Sequence, residues 1–233
     1  MKRWIKVSLI GFVILVVVLA GGFLIYVSDY YRSDATAAGL LQAGEGITQS
    51  GNTIILTPPV PSETALIFYP GGKVEEASYL PLLNQLRQDG LTCVLVTMPF
   101  NLAVFDANAA DAVIASMPQI KTWYIGGHSL GGAMASDYAD RHQDKIKGLV
   151  LLAAYIYGDL DPAKALTLYG TEDQVLDTAK ITYTENVVAI PGGNHAYFGN
   201  YGEQSGDGQA AISREEQQSQ TVAQILTFIG EQD

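Results

Sequence analysis

After Thr64 the chain repeats one pattern, a short run of apolar, β-branched or aromatic residues followed by a segment of helix length. The apolar runs fall at residues 65–69, 92–97, 123–125, 148–152, 165–169 and 187–190. They are continuous rather than alternating, the pattern of strands covered on both faces. Between them lie segments 76–88, 103–116 and 130–142, a short one near 174–179, and a closing one after Ser213. The closing segment carries a capping box, Ser213 with Glu216, and an apolar face of Val222, Ile225, Leu226 and Ile229. Strands alternating with helices in this way predict an α/β fold, a doubly wound and mostly parallel sheet with helices on both faces.

The remaining sequence sets limits on what such a sheet can serve. Residues 7–28 run without a charge behind Lys2, Arg3 and Lys6. A helix of that length spans roughly 33 Å, enough for a hydrocarbon core of about 30 Å. A cleaved signal peptide, with small residues at Val18 and Ala20, is the alternative. The uncharged length favours an uncleaved transmembrane helix over residues 1–31, with Tyr26, Tyr30 and Tyr31 at the outer interface. The basic flank places the N-terminus in the cytoplasm and the rest outside it, anchored at the cell membrane. The formal net charge is −11, and three of the 13 basic residues precede position 29 with no acid, so the rest stands at 10 basic against 24 acidic, or −14. A body that acidic repels phosphate backbones, so nucleic acid is not an expected partner. One cysteine, Cys93, allows no intrachain disulfide and no thiolate zinc site, and neither a metal nor an organic cofactor is implied.

Residues 32–63 are rich in small residues and turn formers, among them Gly39, Gly44, Gly46, Pro58, Pro59 and Pro61. They read as a stalk with a short hairpin around Ser50-Gly51-Asn52, leaving residues 64–233 as the α/β domain.

Chemistry in an open parallel sheet belongs at the carboxyl ends of the strands. Three loops there carry it. Gly127-His128-Ser129-Leu130-Gly131 stands between a strand and a helix, where a tight turn would lift the Ser129 hydroxyl above the sheet and leave no room for flanking side chains. A serine hydroxyl needs a base. Of the three histidines, His128 lies within the turn and points away from Ser129, and His142 ends the following helix. His195, in Pro191-Gly192-Gly193-Asn194-His195 after the last strand, remains. An acid must fix its tautomer. Asp173 and the adjacent Glu172 follow the strand at 165–169, whereas Asp161 precedes it and Asp207 comes after the histidine. The third loop, Tyr69-Pro70-Gly71-Gly72-Lys73, can supply an amide to an oxyanion beside that of Leu130, from either Gly72 or Lys73.

These motifs, with Met98-Pro99-Phe100-Asn101-Leu102-Ala103 and Gly193-Asn194-His195-Ala196, resemble those of the alpha/beta-hydrolase superfamily over about residues 64–230. More narrowly they resemble a compact bacterial branch, the fold-5 type, with dienelactone hydrolase and carboxylesterase character. The resemblance implies a Ser-His-Asp triad, which falls here on Ser129, His195 and Asp173, with Glu172 as the alternative acid. One departure is Tyr69-Pro70-Gly71 where relatives carry His-Gly. Another is the short connection at residues 154–164, about 11 residues where many relatives insert a lid. The chain is therefore expected to be a lidless, outward-facing esterase taking a small-molecule acyl substrate, an ester or thioester. An acyltransferase or peptidase with the same triad is the alternative within enzymes, and a catalytically silent envelope-binding module the alternative outside them.

Overall fold

The computed structural model describes residues 2–232, and within them the side chains of Lys2, Arg3, Ile5, Lys6 and Ala43 lie outside the described residues. The basic flank on which the topology reading leans is thus described in its backbone alone. The chain divides into two units, Met1–Tyr30 and Tyr31–Asp233.

The first unit is one helix, α1 (Lys2–Ser28). Within it Val7–Ser28, 22 residues with mean hydropathy 2.8, is long and apolar enough to cross a membrane.

The second unit opens with α2 (Ala35–Ala43), started by Asp34, whose carboxylate accepts the Ala37 N–H at 2.9 Å. It continues through β1 (Ile47–Ser50), β2 (Thr53–Leu56), β3 (Thr64–Tyr69), α3 (Leu80–Gln88), β4 (Thr92–Val96), α4 (Ala109–Ser116) and β5 (Thr122–His128). It closes with α5 (Leu130–Arg141), β6 (Gly148–Leu152), β7 (Ala165–Gly170), β8 (Val187–Ile190) and α6 (Arg214–Gln232). The eight strands form one sheet in the order β1-β2-β4-β3-β5-β6-β7-β8. Pairing is parallel from β4 to β8 and antiparallel only where β1 meets β2 and β2 meets β4. Alternate residues of β3 enter separate cores, Leu66 and Phe68 joining α3 and α6, Ala65, Ile67 and Tyr69 joining α4 and α5. Every one of these five is fully buried, so each large side chain contributes roughly 1.5–3 kcal/mol by leaving water.

Several segments differ from the sequence expectation. In residues 32–63 the hairpin expected around Ser50-Gly51-Asn52 is present as β1 and β2, but the segment is built into the domain's own fold rather than standing off as a stalk: α2 lies within it, and β2 joins the sheet by pairing with β4, burying Ile54 and Leu56. The prolines after Leu56 mark a crossing between sheet strands, and a composition of turn formers cannot tell that from a stalk. The short helix expected near 174–179 is replaced by one 3-10 turn at Thr178–Lys180, and ahead of it the Asp173 carboxylate accepts the Val175 and Leu176 N–H groups, both at 2.8 Å. The segments at 76–88 and 103–116 are α-helical only from Leu80 and from Ala109, since Glu76–Tyr79 and Ala103–Phe105 are 3-10 turns. The β6–β7 connection holds only the 3-10 turn Pro162–Lys164, so no lid helix stands there.

Candidate active site

The strand order reverses direction around β3, whose chain successor β4 lies on one side while β5 lies on the other. The crevice outside the carboxyl ends of β3 and β5 is where such a sheet opens for a ligand. Among the described residues six non-glycine positions have positive φ, and five of them, Lys73, Phe100, Asn101, Ser129 and Ala153, follow the carboxyl ends of β3, β4, β5 and β6. Backbone held in this sparsely populated region costs about 1–3 kcal/mol per residue and persists where the surroundings over-determine it.

Ser129 shows how. It sits between β5 and α5 at φ 52°, ψ −121°, with its N–H bonded to the Leu152 carbonyl at 2.9 Å. A β-carbon on Gly127 would strike the Gly131 backbone, and one on Gly131 would strike the carbonyls of Tyr69 and Pro70. Glycine at both places therefore lets the start of α5 press against the loop after β3. That contact brings Leu130 against Gly72, where an added β-carbon would lie 3.3 Å from that of Leu130. The Lys73 N–H is already committed to the Asn101 carbonyl at 2.8 Å, which disfavours it as an oxyanion donor. The Leu130 amide belongs to the first turn of α5, where helix geometry supplies no carbonyl.

His195 and Asp173 come together from loops after β8 and β7. Asp173 Oδ2 accepts from His195 Nδ1 at 2.9 Å, and the two side chains are 0% and 1% exposed. With its proton held on Nδ1 by a carboxylate, the neutral ring carries a lone pair on Nε2. That nitrogen is buried and has no hydrogen-bond partner. His195 and Ser129 line one cleft of about 330 Å³, whose other walls include Leu130, Ala133, Ala153, Ala154, Val175 and Leu176. A buried nitrogen without a partner on a mostly apolar cleft is poised to take a proton from a hydroxyl placed there.

The other candidates lie elsewhere. Glu172 is exposed and accepts the Thr171 hydroxyl at 3.1 Å. Asp161 caps the Pro162–Lys164 turn, and His142 stacks on Tyr138 with ring centroids 4.1 Å apart. His128 is buried below the cleft. Its Nε2 donates to the His195 carbonyl at 3.0 Å, so its Nδ1 accepts from the Tyr79 hydroxyl at 2.8 Å, and that hydroxyl in turn accepts the Gly71 N–H at 3.0 Å. Burial holds the His128 imidazole well below its ordinary pKa, so it stays neutral and keeps this tautomer. The chain of bonds runs from the loop after β3 to the backbone of His195.

Several positioning residues carried little sequence signal. Asp207, set aside on chain order as the acid, accepts backbone N–H groups from His195 at 3.2 Å, Ala196 at 2.9 Å and Gly208 at 2.8 Å. Gln217 clamps Asn194 on both sides, accepting its N–H at 3.0 Å and donating to its carbonyl at 2.8 Å. Gln218 was legible in principle, because it falls four residues before Val222 on the apolar stripe of α6. It is buried and donates to Asn200 Oδ1 at 2.8 Å. Tyr79 gave no signal, since its role depends on a partner 49 residues away.

A strained serine between strand and helix, an acid–histidine pair from the last two strand loops, and a glycine loop after β3 define a chain of the α/β-hydrolase architecture. The family model described as "Alpha/beta hydrolase family" matches residues 65–219, and the chain belongs to that family. No curated protein matches the sequence. Three solved structures share the fold at low identity. Est1E from Butyrivibrio proteoclasticus is 16% identical with a TM-score of 0.54, the match covering 79% of this chain and 98% of that one. Paleococcus ferrophilus monoacylglycerol lipase is 14% identical with a TM-score of 0.57, covering 79% and 100%. An alpha-beta serine hydrolase homologue from Coxiella burnetii is 15% identical with a TM-score of 0.52, covering 76% and 94%.

Proposed function

We propose that this chain is a membrane-anchored serine hydrolase, a carboxylesterase cleaving esters or thioesters of short acyl groups. The observation that carries the reading is the buried Asp173–His195 pair whose Nε2 is left partnerless on the cleft shared with Ser129. In this mechanism His195 Nε2 takes the Ser129 proton as Oγ bonds to the acyl carbon. The oxyanion is held by the amides of Leu130 and Gly72, the latter preferred because Lys73 is committed to Asn101. Collapse of the intermediate expels the alcohol or thiol, which leaves with the proton from His195. Water, deprotonated by the same nitrogen, then attacks the acyl-enzyme and releases the acid and Ser129. Asp173 keeps Nδ1 protonated throughout and stabilises the imidazolium. Labelling of Ser129 by a fluorophosphonate probe tests the reading, and a chain that takes up no label is a binding module instead.

The anchor reading rests on Val7–Ser28, and the basic residues before it support a catalytic domain outside the cytoplasm. Protease added to intact cells then digests that domain, and its survival until lysis reverses the orientation.

A preference for short acyl groups follows from the cleft. Each sequestered CH₂ contributes roughly 0.8 kcal/mol, but a cleft of about 330 Å³ with no lid helix above it offers little apolar wall beyond the first few carbons. On nitrophenyl esters kcat/KM should peak at about two to four acyl carbons. A steady climb from acetate to decanoate, measured below micelle formation, would show a longer groove.

A further inference from the structure

The first residues of the catalytic unit are fastened to both loops that carry the proposed chemistry. Tyr31 forms a parallel bridge with Val74, its N–H bonding to the Lys73 carbonyl at 2.8 Å and its carbonyl accepting the Glu75 N–H at 2.9 Å. Lys73 is the neighbour of Gly72. On its other side the Tyr31 ring packs on Tyr201 with centroids 5.5 Å apart, and its hydroxyl accepts the Ser205 N–H at 3.1 Å. Asp34 continues the attachment, donating its N–H to the Asn200 carbonyl at 2.9 Å and accepting from the Asn200 side chain at 2.9 Å. Residues 200–205 belong to the loop that follows His195. The strap at 31–34 therefore joins the oxyanion loop to the histidine loop.

That strap begins three residues after Ser28, the last residue of the apolar run. Three peptide steps reach at most about 11 Å, whatever direction they take. If Val7–Ser28 spans a bilayer, the Lys73 loop cannot stand more than roughly 20 Å from the span's end, counting the tether and one strand-to-strand contact. The interfacial headgroup layer, about 5–8 Å thick on each side, takes up roughly a third of that distance. In the turn that accepts the Lys73 N–H, residues 99–105, Phe100, Val104 and Phe105 are each about half exposed, the two rings edge to face at 5.6 Å. Next to them the Leu102 side chain packs toward Gly72. The tether and this apolar rim thus belong to the same loop cluster.

From this juxtaposition we infer that the catalytic mouth is docked on the bilayer surface, and that the substrate is a lipid-resident ester. Its alcohol part stays in the membrane while a short acyl group enters the cleft. The inference rests on the anchor and hydrolase readings above, and it adds to them the direction the mouth faces. A soluble ester reaches such a mouth only from the side, whereas a bilayer amphiphile is delivered at high local concentration. The exposed rim gains by the same burial, since Val104 and its neighbours leave water when the domain settles.

Site-directed spin labelling of the full chain in phosphatidylcholine proteoliposomes tests the orientation without relying on activity. Val104→Cys places a nitroxide on the rim, and Gln143→Cys places one just past the C-terminus of α5, at the end of the sheet where β5 begins. The native Cys93 is buried, so the label goes to the introduced thiol. The position-104 label should be at least threefold less accessible to a water-soluble nickel chelate than the position-143 label, and more accessible to oxygen. Equal nickel accessibility at the two positions overturns the docking. The unmodified full chain gives a second measurement, hydrolysis of hexadecyl acetate dissolved in the vesicles against nitrophenyl acetate in water. At equal bulk concentration the vesicle ester should be cleaved about tenfold faster. Turnover of nitrophenyl acetate without turnover of hexadecyl acetate overturns the lipid-ester assignment and leaves the hydrolase reading standing. Absence of both activities and of fluorophosphonate labelling overturns the hydrolase reading, and the lipid-ester assignment with it.

Discussion

Ser129→Ala is expected to lower kcat on a nitrophenyl ester by about 10⁴–10⁶-fold, and His195→Ala by a similar factor, because in the proposed mechanism the two act as a unit, nucleophile and base. The double variant should fall scarcely further than either single one. Both variants should keep the circular dichroism and melting temperature of the parent within a few degrees, for different reasons. Alanine at 129 retains the elbow's backbone bond to Leu152. At 195 the loop is still held by Asp207 and Gln217, which grip its backbone rather than the imidazole. His128→Asn is the informative contrast. His128 adjoins Ser129 in the chain and stands 4.5 Å from the His195 ring, centroid to centroid, yet it has no lone pair to offer. Its Nδ1 is filled by Tyr79 and its Nε2 by the His195 carbonyl. Its loss should act through the position of His195, costing about tenfold in rate with an unfolding penalty of about 1–3 kcal/mol for the buried groups it leaves unpaired. A Ser129→Ala variant with parental turnover would remove the mechanism altogether.

The parts of this molecule legible in the sequence are those whose cause is local. The apolar runs of β3, β4, β6, β7 and β8 sit within one residue of where the sequence pattern placed them, and for all but the partly exposed edge strand β8 the cause is that strands covered on both faces must be apolar throughout. β5 runs on to His128, three residues past its expected end, because Gly126 and Gly127 pair with Val150 and Leu151 as strand residues despite being turn formers by composition. Ser129 was legible because a strained turn needs glycine on each side, and the spacing of Gly127 and Gly131 records that need. What the sequence hides is pairing across distance. Tyr31, read as an interfacial residue of the anchor, is a strand partner of Val74. The hairpin of β1 and β2 looks detachable until Ile54 and Leu56 are seen in the core against β4. Asp207 looks like one acid too many, since nothing in its neighbours says that its oxygens will face backbone amides of residues 195 and 196.

That last residue makes the acid assignment testable by a separation of effects. Two carboxylates touch the His195 loop, Asp173 on the imidazole and Asp207 on the main chain, while Glu172 faces solvent. Asp173→Asn keeps the shape and the capping of Val175 and Leu176, which needs only an oxygen. The oxygen that met Nδ1 becomes an amide nitrogen, and an amide N–H there selects the tautomer with the lone pair on Nδ1 and the proton on Nε2. His195 can then no longer accept from Ser129, so kcat should fall by about 10³–10⁴-fold with the melting temperature little changed. Asp207→Asn should do the reverse. An amide nitrogen opposed to the Ala196 N–H loses a charge-assisted bond, so melting should drop by several degrees, equivalent to about 1–3 kcal/mol, while kcat falls by about tenfold or less. Glu172→Gln should leave both within about twofold, as expected for an exposed surface acid. Steady-state kinetics and thermal melts of the three variants separate the roles. If Glu172→Gln carried the large kcat loss and Asp173→Asn did not, the acid would be the neighbouring carboxylate, and the loop after β7 would have to rearrange in the working enzyme to bring it inside.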